Sequence, residues 1–387
     1  MNWKAKPLGS CIEVFDSCRR PVTKKDRVLG PYPYYGASGI VDYVDSYIFE
    51  GLHVLVAEDG ENLRSRKLPI AYLADGRFWV NNHAHVLRAN DENDTRFLSY
   101  MIESLDLSGF ITGSTQPKLS QAALLSIPLR LPKLAEQRRI AGVLGALDDK
   151  IKSNLRVRNL CRDLGGNLVA DTVRSAPSTQ LEHYAASISR GVTPQYYKDE
   201  DASPVLVLNQ KCIRDGWVTP ELARLMTPRA REKSQAIARL DDLLVNSTGQ
   251  GTLGRVARWD SDDPIYVDSH VTVVKADPRR IYPVLMPYLV FPLQDEIEHM
   301  ATGSTGQTEL SPSRLAQLNV PLLSLEEQRP LSARLVALEA QAHYCQVQSL
   351  KLTELRDALL PELMSGRMRV DEAGCLVSEA LDEEVAD

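Results

Sequence analysis

The chain contains an internal duplication, and this repeat restricts its fold more than any other feature of the sequence. Short motifs of the first half recur in the second half at a nearly constant offset of 187–191 residues. Because this offset is about half of the 387-residue length, the sequence predicts two copies of one large unit rather than a solenoid of short repeats. The recurring motifs are LV at 55–56 and 244–245, VNNH at 80–83 with VDSH at 267–270, TGST at 112–115 and 302–305, LS at 119–120 and 310–311, and EQR at 136–138 and 327–329.

Each copy begins with a β-rich part, in which short apolar runs alternate with Gly, Asn and Asp. The first copy has predicted strands at 53–56, 77–80 and 85–87, and a short helix is expected near 94–105. The corresponding strands of the second copy are interpreted as 243–245, 255–259 and 271–274.

Each copy ends in a long predicted helix, at 134–174 in the first copy and from 325 to about Pro361 in the second. An apolar stripe of this length has to be covered, so we expect the two helices to pack as an antiparallel coiled coil. The alternative is that each helix only caps its own domain. Gly165 and Gly166 are expected to break the last turns of the first helix. The residues expected to make the helix packing and partner contacts are Ile140, Leu144, Leu147, Ile151, Leu331, Leu335, Leu338 and Leu355.

The expected fold class is α+β, with two similar mixed α/β domains joined by two long antiparallel helices and related by a pseudo-twofold repeat. The last residues, 371–387, carry seven acids and no Lys or Arg, and they are expected to form a flexible acidic tail. Without that tail the net charge changes from −6 to +1. The predicted domains are 1–133, 134–176 (central helix), 177–324, 325–370 (C-terminal helix) and 371–387.

Composition is that of an ordinary soluble globular protein, with 43% hydrophobic and 25% charged residues. No stretch approaches the ~18 apolar residues of a membrane span, and residues 1–10 contain no apolar run of a secretory signal. The six cysteines are scattered without a CxxC pair, which favours reduced thiols in the cytoplasm over disulfides or a metal site.

Catalytic motifs are missing from the sequence. Residues 249–254 match GxGxxG, but a predicted strand follows them where a nucleotide-binding loop needs a helix. Walker A, HExxH, GxSxG and the adenine-methyltransferase motif are also missing. Asp148, Asp149 and Lys150 are interpreted as the solvated face of the first long helix, not as a nuclease fragment. His83 and His270 occupy equivalent places without a ligand partner at metal spacing, so no metal site is expected.

Polar and aromatic side chains concentrate in the predicted loops of both copies. Arg and Lys bind guanine edges, Asn and Gln bind adenine edges, and Lys and Arg also hold phosphates. One such cluster is more often a plain surface loop, and the duplicated setting is what makes the set a candidate interface for double-stranded DNA. The candidates are Tyr32, Tyr34, Tyr35, Arg64, Arg66, Lys67, Asn81, Asn82, His83, Thr115, Gln116, Lys118, Arg190, Thr193, Gln195, Tyr196, Tyr197, Lys198, Asn209, Gln210, Lys211, Asn246, Ser247, Thr248, Gln250, Thr305 and Gln307.

Together with the two-copy layout, these motifs resemble the specificity subunit of type I restriction-modification systems. The stretches that carry the resemblance are YYGASGI at 34–40, VLVAEDG at 54–60, GSTQPKLS at 113–120, LAEQRRIA at 134–141 and LDDKI at 147–151. The second copy departs from the pattern, because Pro330 follows EQR and EAQA at 339–342 replaces DDKI at 148–151.

The resemblance implies two target-recognition domains, each of which reads one half of a split DNA sequence, and two conserved helices that fix the gap between the halves. It implies that two adenine methyltransferase subunits dock on the helices and the flanking domain surfaces, and that restriction subunits can join them. Catalysis, S-adenosylmethionine and ATP would then belong to the partners, and this chain would be no enzyme and bind no cofactor.

Two further hypotheses stay open at this point. The first is a silent specificity subunit, which acts only as a methyltransferase-binding scaffold; DNA binding by the complex distinguishes it. The second is a nuclease or methyltransferase with an unrecognised site, which activity of the isolated protein would reveal.

Overall fold

The computed structural model describes residues 4–196, 203–227, 234–301 and 308–382. The chain folds into two compact units, and the divisions between them fall inside the two long helices. Unit 1 contains the described residues up to Ser153 together with those from Gln348 onward, and unit 2 extends from Asn154 to Val347. Each unit therefore combines one β-rich domain with a segment of each long helix.

The β-rich domain of unit 1 places short strands in one antiparallel sheet and one mixed sheet and adds three short helices. Its elements are β1 (Lys4–Pro7), β2 (Ile12–Val14), β3 (Tyr32–Gly36), β4 (Gly39–Val44), β5 (Phe49–Glu50), β6 (His53–Ala57), α1 (Asn62–Ser65), β7 (Ala71–Ala74), β8 (Arg77–Val80), β9 (Ala84–Ala89), α2 (Thr95–Ser104), α3 (Gln121–Ser126) and β10 (Pro128–Leu131).

The two sheets have the strand orders β2-β9-β6-β7 and β4-β3-β8-β5, and β1 pairs with β10. Strands β3 and β8 are parallel. β6 is buried on both faces: Val54 and Val56 pack in the cluster that includes α2, whereas Leu55 packs with Phe78 of the second sheet. Its sequence is therefore a continuous apolar run instead of an alternating one.

The first long helix, α4 (Leu134–Val173), has 40 residues and confirms the helix expected at 134–174. The predicted break at Gly165 and Gly166 is wrong, because α4 continues through both glycines. A Cβ at Gly165 would lie 2.6 Å from a ring carbon of Tyr288. This glycine therefore permits the close approach of a buried tyrosine to the helix.

The β-rich domain of unit 2 repeats this plan and adds a small hairpin. Its elements are β11 (Ser178–Gln180), β12 (Ala185–Arg190), β13 (Val205–Leu208), β14 (Ile213–Arg214), β15 (Trp217–Val218), β16 (Arg224–Met226), β17 (Ile237–Ala238), β18 (Leu243–Asn246), β19 (Val256–Arg258), β20 (Ile265–Val267), β21 (Val271–Ala276), α5 (Leu285–Val290), α6 (Gln294–His299), α7 (Pro312–Leu315) and β22 (Asn319–Pro321).

The sheets of unit 2 have the strand orders β12-β21-β18-β19 and β16-β13-β20-β17, with β11 paired to β22 and β13 parallel to β20. Strand for strand this is the topology of unit 1, so the predicted duplication is confirmed. One predicted correspondence is wrong: strand 255–259 matches β7, not β8, and the counterpart of β8 is β20. The sequence concealed this because β19 and β20 are separated by a longer loop than β7 and β8.

The second long helix, α8 (Leu325–Ser365), packs on α4 in an antiparallel manner. In unit 1 the beginning of α4 shares a core with the end of α8, through Leu144 and Leu147 on one side and Leu359 on the other. In unit 2 the end of α4 shares a core with the beginning of α8, through Val169 and Leu335. None of the described helices is long and apolar enough to cross a membrane.

Most of the predicted packing residues of the long helices lie in these cores. Ile151, Leu338 and Leu355 are only half-buried. The buried ones are Ile140, Leu144, Leu147, Leu331 and Leu335.

The flexible acidic tail is a wrong prediction for most of its length, because residues Val370–Asp382 form a helix, α9. Val370, Ala373 and Val377 are buried in the core of unit 1, and Asp371 pairs with Arg139 of α4. The three apolar residues occupy one face of α9, and Asp371, Glu372 and Glu379 are exposed. The last five residues lie outside the described ranges.

Candidate nucleic-acid interface

Three loops of unit 1 that are distant in sequence meet in one surface. They are the segment after β6, the turn between β8 and β9, and the loop before α3. The Nδ1 atom of His83 lies 2.9 Å from the carboxylate of Asp59. Arg64 donates to the carbonyl of Gly113 at 2.6 Å, and Lys118 pairs with Glu58 at 3.2 Å. The candidates of the first copy that follow β6 and β8 are thus joined to those around Thr115.

The equivalent loops of unit 2 are joined in a similar manner. The Nδ1 atom of His270 lies 2.7 Å from the Thr248 hydroxyl, and the amide of Asn246 donates to the carbonyl of Gln210 at 3.0 Å. Arg190 donates to the carbonyl of Leu310 at 2.8 Å. The polar segments at 209–211 and 246–250 therefore meet the turn at 268–270.

The recurring motifs have structural causes that both units share. Ser120 and Ser311 are the N-caps of α3 and α7, which explains the repeated LS. In VNNH and VDSH, the side-chain oxygens of Asn81 and Asp268 each accept from the backbone amide two residues later, at 2.8 Å. His83 and His270 are thereby held at the tips of equivalent turns.

Eighteen of the candidates are exposed or half-buried, so their side chains are accessible from solvent. Tyr32, Tyr35, Arg190, Tyr196, Gln210 and Thr248 are half-buried. Tyr35 packs against the ring of Phe78, and Tyr196 lies under the guanidinium of Arg224 at 3.4 Å. The exposed candidates are Arg64, Arg66, Lys67, Asn82, His83, Thr115, Gln116, Lys118, Thr193, Gln195, Lys211 and Gln250.

Five candidates require correction, because their side chains are buried and bonded inside the protein. The hydroxyl of Tyr34 accepts from the backbone amide of Val22 at 2.9 Å. The Ser247 hydroxyl lies 2.6 Å from that of Thr272. Such side chains offer no surface to a base edge. The five are Tyr34, Asn81, Asn209, Asn246 and Ser247.

Arg66 is exposed, but its guanidinium is engaged in hydrogen bonds within the protein. Its backbone is left-handed, with φ of 46°, and its guanidinium donates to the carbonyls of Glu103 and Leu105 at the end of α2. Four more candidates, Tyr197, Lys198, Thr305 and Gln307, lie outside the described residues.

A charged network lies beneath the loops of unit 1. His85 is buried, with Nδ1 2.6 Å from Asp16 and Nε2 2.8 Å from the carbonyl of Leu119. Burial raises the pKa of Asp16, but the hydrogen bond and charge of His85, the hydrogen bond from the Val86 amide and the charge of Arg19 outweigh it and leave that pKa below its ordinary value. The pKa of Glu58 is lowered in the same way, since Arg19 and His85 outweigh its burial.

Asp16, Glu58 and His85 are also the one group of three potential metal ligands within the described ranges. Arg19 donates to Glu58 at 2.7 Å, and Lys118 approaches the other oxygen of that carboxylate. Cationic side chains of the protein thus already engage these oxygens, so the arrangement fits an internal ion network better than a metal site.

The repeated EQR motif has a structural role that the sequence did not reveal. Gln137 is buried and its amide connects α4 to the segment before α2, by accepting from Asp94 and donating to Asn93. Gln328 does the same at the start of α8, by accepting from Tyr282 and donating to Arg280. The motif therefore fixes each long helix to its β-rich domain.

Asp148 is not part of a solvated helix face, contrary to the sequence interpretation. It accepts from the hydroxyl of Tyr100 and pairs with Arg356 of α8 at 3.0 Å. In unit 2 the hydroxyl of Tyr288 donates to Glu339 at 2.6 Å, and Arg258 pairs with the same carboxylate at 2.7 Å. The departure of the second copy from DDKI thus preserves the tyrosine–carboxylate contact.

Comparison with known proteins agrees with the resemblance seen in the motifs. The family model of the type I restriction modification DNA specificity domain matches residues 1–159. A putative type I restriction enzyme specificity subunit of Haemophilus influenzae is 38% identical over 148 residues, which cover 38% of this chain and 37% of that protein. The EcoprrI specificity subunit of Escherichia coli is 26% identical over 144 residues, which cover 36% of this chain and 34% of its own length.

The match in fold extends over most of the chain. The crystal structure of a type I restriction-modification system S subunit from M. genitalium superposes with a TM-score of 0.56 at 17% identity, covering 94% of this chain and 96% of that one. The sequence matches span little more than a third of either curated relative. Residues 1–159 are therefore similar to the type I restriction modification DNA specificity domain, and the chain shares its fold with the S subunit from M. genitalium.

Proposed function

We propose that this protein is the DNA-specificity subunit of a type I restriction-modification complex, with one unit reading each half of a bipartite target. The observation that carries the proposal is the repeated topology, in which each unit joins its exposed polar loops into one surface. Arg, Lys, Asn, Gln and Thr side chains on such loops suit base edges and phosphates. The family model that matches residues 1–159 describes a DNA specificity domain, and the two similar relatives are themselves named as specificity subunits.

The proposal also assigns the chemistry to partners. Adenine methyltransferase subunits, with S-adenosylmethionine, and restriction subunits, with ATP, would act on DNA that this chain selects. The proposed role of this chain is non-catalytic, in the cytoplasm beside these partners, and the sequence contains none of the usual catalytic motifs.

An apolar stripe on α8 supports docking of a partner. Within unit 2, Val336, Tyr344 and Val347 are 56%, 47% and 39% exposed, and Ala340 lies between them. Their spacing places them along one face of the helix, which is a pattern typical of a surface that a further protein covers. We propose that a methyltransferase subunit covers this stripe.

The first test is methylome sequencing of cells that express this chain with its partner methyltransferase, against cells with the methyltransferase alone. A new bipartite motif, methylated only when the chain is present, is the expected result. A stable complex without any new motif would refute DNA reading and favour the silent scaffold. Methylation or cleavage by the isolated chain would favour the enzyme hypothesis.

Two variant experiments resolve the parts of the proposal. Replacement of residues 1–133 by the corresponding domain of a relative should change one half of the motif, and a change in both halves would contradict one unit per half-site.

Val347→Glu should weaken co-purification with the methyltransferase. Leu222→Glu is the matched control, since Leu222 is also exposed but lies outside the helix.

A further inference from the structure

We propose that Arg64 is a positioning residue that braces a DNA-contacting loop of unit 1, and that it does not bind DNA itself. The loop, here called the tip loop, comprises residues 113–117. This inference rests on the proposed function, since it concerns the same surface. It replaces the direct DNA contact that the sequence suggested for Arg64.

The tip loop is closed and tight. The backbones of Thr112 and Lys118 bond to each other in both directions, at 2.9 and 2.8 Å, and Gly60 donates to the carbonyl of Pro117 at 3.0 Å. Gly113 has φ of 84°, and a Cβ there would lie 2.2 Å from the carbonyl oxygen of Gln116. Only glycine fits this turn, so the loop has a defined shape at its base.

The guanidinium of Arg64 holds the other side of the loop. Nη2 donates to the carbonyl of Gly113 at 2.6 Å, and Nη1 donates to that of Ser114 at 2.9 Å. Two terminal nitrogens in a planar fork match two successive carbonyls, which the single ammonium group of a lysine does not. Arg64 is itself fixed, because the neighbouring Leu63 of α1 is 2% exposed in the core.

The loop presents Ser114, Thr115 and Gln116 to solvent, and all three are uncharged. Hydroxyl and amide groups of this kind bond to base edges, whereas the net attraction to phosphates depends on charge. A loop that is held in one conformation avoids the ordering cost of binding. Removing the brace should therefore weaken DNA binding without changing the number of phosphate contacts.

The experiment uses the full-length chain and, as the probe, the duplex that wild-type chain enriches from a random-sequence library. Arg64→Ala and Arg64→Lys should each weaken binding by about tenfold, which corresponds to ~1.4 kcal/mol. The slope of log affinity against log salt should not change. Lys67→Ala is the control, because loss of a phosphate contact at this exposed lysine should lower the slope by about 1.

A double-mutant cycle with Gln116→Ala tests whether Arg64 acts through the loop. If it does, Arg64→Ala should add little to the loss that Gln116→Ala already causes. Hydrogen exchange of the free protein gives a readout without DNA: the Thr112 and Lys118 amides should exchange faster in both Arg64 variants.

Three results would overturn the inference: unchanged exchange, additive losses, or full affinity of Arg64→Lys with a lower salt slope for Arg64→Ala. If wild-type chain enriches no duplex, the proposed function and the DNA role of the tip loop fail together. Hydrogen exchange then still decides whether Arg64 braces the loop.

Discussion

Replacing Asp268 by Asn should stabilise unit 2 at neutral pH. One carboxylate oxygen of Asp268 accepts from the backbone amide of His270 at 2.8 Å. The other oxygen is buried and has no hydrogen-bond partner. Unit 1 has Asn81 at the equivalent position, where the side-chain oxygen accepts the same bond from His83. An amide thus preserves the turn and removes a buried charge.

The magnitude follows from the charge that the substitution removes. A buried polar group without a partner costs about 1–3 kcal/mol when neutral and more when charged, and Asn keeps a polar atom at this place, so the expected gain in the free energy of unfolding of Asp268→Asn is the difference between the two costs, on the order of 1 kcal/mol. For a unit of this size, each kcal/mol raises the melting temperature by roughly 2–4 °C. The reciprocal change, Asn81→Asp, should destabilise unit 1 and is the matched control.

The gain in the free energy of unfolding of Asp268→Asn should also depend on pH. Burial raises the pKa of Asp268, although the His270 amide and the charges of His270 and Arg224 partly oppose it. A carboxyl with a raised pKa in the folded state favours folding below its unfolded pKa, and this contribution is lost as the pH rises through the folded value. The advantage of Asp268→Asn should therefore be largest at neutral pH and small in acid.

Thermal and urea unfolding of the full-length chain over a pH series measure this effect, and hydrogen exchange of the β21 amides assigns it to unit 2. Equal or lower stability of Asp268→Asn at neutral pH would refute the reasoning. A gain that stays constant from acid to neutral pH would refute its electrostatic part.

Three further outcomes can be measured by similar means. Gln328→Ala breaks three hydrogen bonds of a buried side chain and should lower the free energy of unfolding by about 2–4 kcal/mol in urea titrations. The lowered pKa values of Asp16 and Glu58 should make unit 1 lose stability as the pH falls through those values, and Asp16→Asn should reduce this acid sensitivity in denaturation at several pH values. Val377→Asp should release α9, seen as faster hydrogen exchange in 370–382, whereas Leu376→Asp, at a residue 42% exposed, should leave α9 in place.

The duplication and the long helices could be predicted because their signals are local. A serine at an N-cap or a proline-free apolar stripe has the same meaning in any context. Whether a polar side chain is buried depends on tertiary contacts and not on its neighbours in the sequence. Asn246 and Gln250 therefore looked alike in the sequence, although Asn246 is buried and Gln250 is exposed. α9 was missed for a related reason, because its acids obscured the apolar face of Val370, Ala373 and Val377.

The two units share the backbone hydrogen bonds that fix their histidine turns, and they differ in the side chains beside these turns. Glu58 and Ser247 occupy equivalent positions. The backbone amide of Glu58 donates to the backbone carbonyl of His83, and that of Ser247 donates to the backbone carbonyl of His270, at 2.9 Å in both cases. In unit 1 the Glu58 carboxylate belongs to the network around His85, whereas in unit 2 the Ser247 hydroxyl pairs with that of Thr272. The same turn is therefore found beside a charged carboxylate in unit 1 and beside a neutral hydroxyl in unit 2. Because the frame tolerates this exchange, its loops can diverge independently in the two units, as recognition of two unlike half-sites would require.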